Sequence, residues 1–165
     1  MTMPNFSDPA ERHPFLRFFY RDWRPTPFGR WVNRVQGWLA GAGLPPSFQV
    51  ALEVRGRTSG RLRSNPVVVA TVNEKRYLVS MLGTESDWVK NVEAAHGEAV
   101  IRHGRRERVR LVPVPPEERP PVLREYLRIA PSGRQHFPLP PSASLAELAA
   151  IAANYPVYRI DPRSI

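Results

Sequence analysis

The strongest constraint on the fold is a succession of short apolar segments, separated by turn residues, that begins at residue 48. Each segment has the length of a β-strand, and Val67, Val68 and Val69 are consecutive, as expected where both faces of a strand are buried. Short polar turns between neighbouring segments indicate hairpin connections. The predicted strands are residues 48–54, 65–72, 77–82, 98–102, 106–114 and 157–160.

Helical patterns alternate with these strands. Pro27 follows a capping residue, and the apolar residues after it recur at helical spacing, which is typical of a helix start. The proline-rich residues 131–141 are predicted to be a loop, either a lid or a plain connection. The predicted helices are residues 26–42, 88–95, 115–130 and 145–153, with Thr26, Asp87 and either Ser142 or Ser144 as capping residues.

Hairpin-connected strands with helices set between them define the α+β class. We expect the five or six strands to form a sheet that curls into a small barrel. A length of 165 residues fits one domain, since chains divide only beyond roughly 250 residues. We therefore predict a single domain over 26–165 and an N-terminal arm over 1–25, which either packs across the domain or lies on an anionic membrane surface.

Several kinds of chemistry are excluded by what the sequence lacks. No cysteine is present, so disulfides, thiolate metal sites and a cysteine nucleophile are ruled out. Four lone histidines, expected at turns or on the surface, have no metal-ligand spacing, and we expect no metal site: His13, His96, His103 and His136. Serine-hydrolase, Rossmann and Walker motifs are absent. Without a membrane-spanning apolar segment or a signal peptide, the chain is predicted to be cytoplasmic.

Positive charge is the main compositional feature. The chain has 24 basic and 15 acidic residues, and all the basic ones except Lys75 and Lys90 are arginines. A planar guanidinium pairs with phosphate or carboxylate through two hydrogen bonds at once. The composition therefore indicates an anionic partner, namely nucleic acid, membrane lipid or a ligand with phosphates or carboxylates. Codon bias towards arginine on an ordinary solvated surface explains the same composition equally well.

The segment between the first two predicted strands concentrates residue types that bind anions. Residues 56–67 contain three arginines, hydroxyl side chains, two glycines and an asparagine. Glycine permits positive φ and lets backbone N–H groups approach a ligand, while arginines clamp its phosphates or carboxylates. An exposed hairpin turn without any ligand would have a similar composition.

Five motifs, taken in order, make the chain similar to a known family. They are Gly56-Arg57-Thr58-Ser59-Gly60, Arg63, Asn65-Pro66-Val67, Ser80-Met81-Leu82-Gly83 and Asp87-Trp88-Val89-Lys90-Asn91-Val92. The chain resembles the deazaflavin-dependent nitroreductase family, whose members use coenzyme F420. This resemblance implies an α+β split β-barrel of the FMN-binding kind, with mostly antiparallel strands and flanking helices. It also implies an oxidoreductase that transfers hydride from the deazaflavin C5 to a small organic acceptor, such as a quinone or a nitro compound.

The same resemblance implies a cofactor site. F420 is a polyanion with a phosphodiester, a glutamate tail and a flat ring. The residues implied to hold phosphate and tail are Arg57, Thr58, Ser59, Gly60 and Arg63. The residues implied to line the approach to the ring are Asn65, Pro66 and Val67. Backbone amides are implied to reach the edge of the ring from Ser80, Met81, Leu82 and Gly83. The pocket is implied to be closed by Trp88 and Asn91. No catalytic side chain is implied, because the cofactor carries the chemistry.

The chain departs from the family pattern at two of these positions. Lysine is typical of the family where Thr58 and Met81 stand, which leaves Arg57 and Arg61 as the replacement cations. The resemblance therefore implies a cofactor contact made by arginine in place of lysine.

Other ligands and partners stay open at this point. The same fold would also suit FMN, a fatty acid or haem. A basic module for nucleic acid or an anionic membrane is a further hypothesis, based on Arg106, Arg108 and Arg110, which alternate along one predicted strand. Nucleic acid is disfavoured because no aromatic residues interleave with these arginines to stack on bases. We expect a monomer or a homodimer with a small-molecule electron acceptor, and peripheral membrane association stays an alternative.

Overall fold

The computed structural model describes residues 20–21, 24–25 and 48–163. The predicted helix over 26–42 and most of the N-terminal arm lie outside these residues. Strands β1 (Tyr20–Arg21) and β2 (Arg24–Pro25) pair with each other in antiparallel register. All other described elements belong to a barrel or to the helices packed on it.

Six strands form a closed antiparallel barrel. They are β3 (Gln49–Arg55), β4 (Leu62–Val72), β5 (Lys75–Val79), β6 (Glu98–His103), β7 (Arg105–Pro113) and β8 (Val157–Pro162). Their order around the barrel is β3-β4-β5-β8-β7-β6, and the pairing of β3 with β6 closes it. The prediction of an α+β fold with a small antiparallel barrel is confirmed.

Tight turns set the register of the hairpins. Asn73 and Glu74, between β4 and β5, have φ values of 48° and 62°, as the two central residues of a type I′ turn require. In the β3–β4 hairpin, Val67 lies opposite Val50. Directly opposed residues share one face of the sheet, so alternate residues of every strand point into the barrel.

Apolar side chains fill the barrel towards the end that helix α1 (Asp87–Ala94) closes. Leu52, Leu78 and Leu111 are at most 2% exposed, and α1 adds Trp88 and Val89 to the same cluster. Full burial of a leucine contributes about 1.5–3 kcal/mol. Packing therefore stabilises α1, which at 8 residues is too short to be stable alone.

A second apolar core lies outside the barrel, between strands β4 and β5 and a layer of helices. The helices are α2 (Pro120–Ile129), α3 (Pro131–Arg134) and α4 (Leu145–Ile151). Leu123 and Leu148 are completely buried in this core. Of the two predicted caps of α4, Ser144 is the one observed, and it forms a reciprocal capping box with Glu147. The helical layer covers one side of the barrel.

Three local predictions differ from the structure. Ser86, not Asp87, occupies the N-cap position of α1, and no side chain caps this helix. Residues 131–141 are not wholly a loop, because they contain α3, whose Arg134 side chain donates to carbonyls of the preceding helix. His136 is buried, with 3% of its surface exposed, because the chain after α3 folds back onto the outer core.

Candidate functional site

Most of the residues that the resemblance assigns to the cofactor lie in two segments at the end of the barrel closed by α1, and the others lie on β4 and on α1 itself. The first, which we call the arginine turn, comprises residues 56–63 and joins β3 to β4. The second, the helix-entry loop, comprises residues 80–83, follows β5 and leads through a short 3-10 turn, Gly83–Glu85, into α1. Both segments therefore meet the N-terminal end of α1.

Arg57 anchors the arginine turn to α1. Its backbone N–H and its Nη1 each donate to Oδ1 of Asn91 at 3.0 Å, and its Nη2 donates to Asp87 Oδ1 at 3.1 Å. Asn91 is 5% exposed, and an amide oxygen has two lone pairs, so Arg57 uses the full accepting capacity of this buried group. Arg57 and Asn91 thus position the turn on the helix.

Backbone hydrogen bonds fix the shape of the arginine turn. The N–H of Gly56 donates to the Arg61 carbonyl at 2.9 Å, and the N–H of Gly60 donates to the Gly56 carbonyl at 2.8 Å. Gly60 has a φ of 64°, a left-handed conformation that favours glycine. The amides of Thr58 and Ser59 take no part in these bonds, and both residues are exposed. Such amides can form an anion-binding concavity.

Two exposed arginines complete the cationic surface of the turn. Arg61 and Arg63 form no ion pair with any residue in the described part of the chain. Arg55 lies beside them and donates from Nη1 to the Gly60 carbonyl at 3.2 Å. Unpaired guanidinium groups next to unused amides fit a ligand that carries phosphate and carboxylate groups. The turn therefore suits the phosphodiester and glutamate tail of F420.

The three consecutive residues expected to line the approach to the ring do not share one surface. Asn65 lies opposite Leu52 and Val67 lies opposite Val50, so both face inward, whereas Pro66 lies opposite Ala51 on the outer face. Val67 is part of the barrel core. Only half-buried Asn65 extends the inward row of β4 towards the arginine turn.

The helix-entry loop is held by Ser80. Its N–H donates to the Pro156 carbonyl at 2.9 Å, and its hydroxyl donates to the Gly83 carbonyl at 2.7 Å. Gly83 has a φ of 70°, and a Cβ there would lie 3.1 Å from the Asn154 carbonyl oxygen. The Met81 side chain packs against the outer core, so the part of this loop available to a ligand is its backbone.

Trp88 supports the site from within the barrel. It is 9% exposed, and its ring meets that of Tyr158 edge-on, with centroids 5.7 Å apart. Tyr158 Oη donates to Glu93 Oε1 at 3.3 Å. Burial, together with the Glu93 charge, raises the pKa of Tyr158 to about 12, so its hydroxyl stays protonated at neutral pH. Trp88 therefore packs beneath the turn as a core residue.

Sequence reasoning missed the anchoring role of Asp87 and the contribution of Arg55. Asp87 and Asn91 are four residues apart and therefore lie on the same face of α1, which is the signal that could have paired them with Arg57. Within the described residues, no group of three His, Asp or Glu side chains is placed to hold a metal. None of the described helices has the length and apolar character needed to cross a bilayer.

A closed six-stranded antiparallel barrel, with helices on one side and the arginine turn at one end, defines the chain as a split-barrel protein. Residues 29–136 match the family model described as F420H(2)-dependent quinone reductase. This match spans more than half of the chain, and the chain belongs to that family. It is therefore an F420-dependent oxidoreductase, which confirms the resemblance seen in the sequence.

Two solved structures with TM-scores above 0.5 have a similar fold. The chain is similar to a protein of unknown function from Agrobacterium tumefaciens, with a TM-score of 0.53 and 15% identity over 84% of this chain and 57% of that one. A structure described as a domain-swapped dimer gives 0.51 and 16% over 81% and 98%. An F420-H2 dependent reductase, FDR-A, gives 0.48 and 16% over 69% and 94%. None of the curated proteins is significantly similar in sequence.

Proposed function

We propose that the arginine turn and the helix-entry loop together hold F420H2. The observation that best supports this proposal is the bonding of Arg57 to Asn91, which attaches to α1 the turn that carries the exposed arginines Arg61 and Arg63. A phosphodiester with a glutamate tail requires several cationic and N–H donors close together. The positive end of the α1 dipole also favours an anion there.

The residues of the arginine turn have two different roles in this proposal. Thr58 and Ser59 hold the phosphate through backbone amides and hydroxyls, and Gly60, whose N–H bonds to the Gly56 carbonyl, gives the turn the left-handed conformation that lets the phosphate approach. Arg61 and Arg63 pair with the phosphate and the tail, since neither has another ionic partner among the described residues. Arg57, whose guanidinium already bonds to α1, acts mainly by positioning the turn. Asn91 acts through Arg57 in the same way.

The helix-entry loop and β4 form the proposed ring site. Ser80, Met81, Leu82 and Gly83 present backbone groups to the ring edge, because the Ser80 bonds hold this loop in one conformation. Asn65 and Pro66 border the approach from opposite faces of β4, and Val67 and Trp88 support it from the core. Bound F420H2 supplies a hydride from C5, and we propose a small quinone-type molecule as its acceptor, with nitro compounds as the second class.

Titration of F420 with the purified chain, followed by its fluorescence, tests the cofactor site. We expect Arg61→Ala and Arg63→Ala each to weaken binding about tenfold or more, since hydrogen bonds to charged groups contribute about 1.5–3 kcal/mol. Arg108→Ala is the matched control, because Arg108 is an exposed arginine of β7, a strand that pairs with β6 and β8 and not with β3 or β4. Equal losses in all three variants, or tighter binding of FMN than of F420, would contradict the proposal.

Oxidation of F420H2 by candidate acceptors tests the reaction. With the chain present, we expect a soluble naphthoquinone to restore F420 fluorescence faster than a nitroimidazole does. The Arg63→Ala variant at equal concentration should slow both reactions when F420H2 is below saturation. A nitroimidazole that reacts faster than the quinone would reverse the proposed order of acceptors, and no oxidation of F420H2 by either would contradict the proposed reaction.

A further inference from the structure

A cavity of about 630 Å³ opens at the end of the barrel opposite α1. We call it the barrel mouth, and its lining includes Val50, Val69, Ile101, Arg76, Glu107 and Arg105. Its volume lies within the range of roughly 300–1,000 Å³ that is usual for small-molecule sites. None of the residues assigned to the cofactor lines it. From Arg63 to Val69, β4 advances by about 20 Å at roughly 3.3 Å per residue, so the barrel mouth is separate from the arginine turn. It adjoins the core behind the proposed ring site at Val50, which lies opposite Val67.

The inner surface of the barrel mouth combines an apolar floor with polar side chains, and its one carboxylate is paired with an arginine. Val50, Val69 and Ile101 face inward from three strands. Arg76 donates from Nη1 and Nη2 to the two carboxylate oxygens of Glu107, at 2.8 and 2.5 Å. This bidentate pair compensates the only carboxylate among the described lining residues, and Arg76 holds the pKa of Glu107 below its ordinary value. An anion entering the mouth therefore meets no uncompensated negative charge.

The rim of the barrel mouth carries uncompensated positive charge. Arg105, at the β6–β7 turn, is exposed and forms no ion pair with any described residue. Its neighbour Arg106 also lines the cavity; it donates to Glu53 Oε2 at 2.6 Å, and 60% of its side chain is exposed. A cationic rim above an apolar floor is the arrangement that receives a molecule with one anionic end and one apolar end.

We propose that the barrel mouth binds an aliphatic monocarboxylate, with its chain on Val50, Val69 and Ile101 and its carboxylate at Arg105. An uncharged apolar molecule would make no use of the rim arginine, and a small polar anion would leave the apolar floor exposed to water. This site goes beyond the proposed function, because its ligand lies at the opposite end of β4 from the arginine turn and takes no part in hydride transfer.

Calorimetric titration with decanoate, below its micellar concentration, and with decanol tests the proposal. We expect one decanoate per chain, bound about tenfold more tightly than decanol, because a charge-assisted hydrogen bond is worth about that factor. Arg105→Gln should reduce decanoate binding to the level of decanol, and Val69→Trp should abolish binding of both by covering the apolar floor on which the chain of the ligand lies. Arg108→Gln, which changes an exposed arginine of the same strand outside the cavity lining, should bind both as the wild type does.

F420 titration of each variant distinguishes this proposal from the preceding one. All three variants should bind F420 with unchanged affinity, since the barrel mouth lies at the other end of β4. No saturable decanoate binding by the wild type would overturn the proposal whatever the F420 result. Should Val69→Trp fail to fold, Arg105→Gln decides, because it changes only an exposed side chain. Decanoate binding by Arg105→Gln that equals the wild type would also overturn it.

Discussion

Replacing Asn91 with alanine tests whether α1 holds the arginine turn in place. The change removes the one oxygen that accepts from both the backbone N–H and the Nη1 of Arg57. Arg57→Ala is the informative partner, because it removes the guanidinium bonds to Asn91 and Asp87 but keeps the backbone N–H bond to Asn91. A partly buried N–H left without an acceptor costs more than an exposed charge released to water. We therefore expect Asn91→Ala to be the more damaging change.

The structure sets the expected magnitudes. A neutral hydrogen bond contributes about 1 kcal/mol and one to a charged group about 1.5–3 kcal/mol. Because the Arg57 side chain is 37% exposed, water replaces part of the loss, and Asn91→Ala should lower the free energy of unfolding by about 2–3 kcal/mol. In Arg57→Ala, the ion pair with Asp87, whose side chain is 63% exposed, adds less than about 1 kcal/mol. The expected loss for that variant is about 1–2 kcal/mol.

Urea and thermal unfolding of both single variants and the double variant measure these losses. For a domain of this size each kcal/mol shifts the melting temperature by about 2–4 °C, so Asn91→Ala should melt about 4–12 °C lower. The double variant should lose less than the sum of the single losses, because both remove the same Nη1 bond. F420 should bind more weakly to both, and Asn91→Asp, which keeps an accepting oxygen, should restore binding. An Arg57→Ala loss equal to or above that of Asn91→Ala, or strict additivity, would refute the reasoning.

Three other changes test separate parts of the fold. Because the pKa of Tyr158 is raised to about 12, the folded state favours the neutral hydroxyl, and stability is lost as pH rises through the range from 10 to 12. Between pH 8 and pH 11 the free energy of unfolding should fall by up to about 1.4 kcal/mol from this group. Urea unfolding at both pH values should show that Tyr158→Phe lacks this part of the fall. Ser144→Ala breaks the capping box of α4 and should cost about 1 kcal/mol in thermal unfolding. Glu53→Gln leaves Arg102 and Arg106 facing each other without their shared carboxylate; its loss, about 1–3 kcal/mol in urea unfolding, should exceed that of Arg106→Ala.

The strands of the barrel could be predicted because their signals are local. Each hairpin is predicted by a short apolar segment, a turn residue and a second apolar segment, all within about twenty residues of sequence. The predicted strand over 106–114 is observed as Arg105–Pro113, and the turn at Asn73 has the positive φ that a two-residue hairpin requires. The order of the motifs then identified the barrel as a split barrel, a step that strand patterns alone do not provide.

The parts that could not be predicted depend on contacts between distant residues. Leu78 pairs with Tyr158, which places β8 between β5 and β7 and closes the barrel. No local signal indicates that pairing, because strand edges accept any partner with matching hydrogen bonds. The hydrogen-bond partner of Arg57 could not be predicted either. Asn91 lies 34 positions away, and several other arginines lie nearer to Asn91 in the sequence. The core neighbours of Trp88 could not be predicted either, because a helix face shows that a residue is buried but not which strands it packs against.

Net charge is a poor guide to the anion site because most guanidinium groups of the barrel wall already have partners. Glu53 forms ion pairs with Arg102 and Arg106, so the positive charge of the β7 arginines that suggested a nucleic-acid surface is partly neutralised. Arg108, on the same strand, is exposed. The backbone N–H groups around it are not available to a ligand, however, because β7 pairs with β6 and β8. A phosphate group is held best where an unpaired guanidinium and unused amides lie close together. Of the two surfaces, only the arginine turn combines them, and for this reason its variants, unlike those of β7, should change F420 affinity.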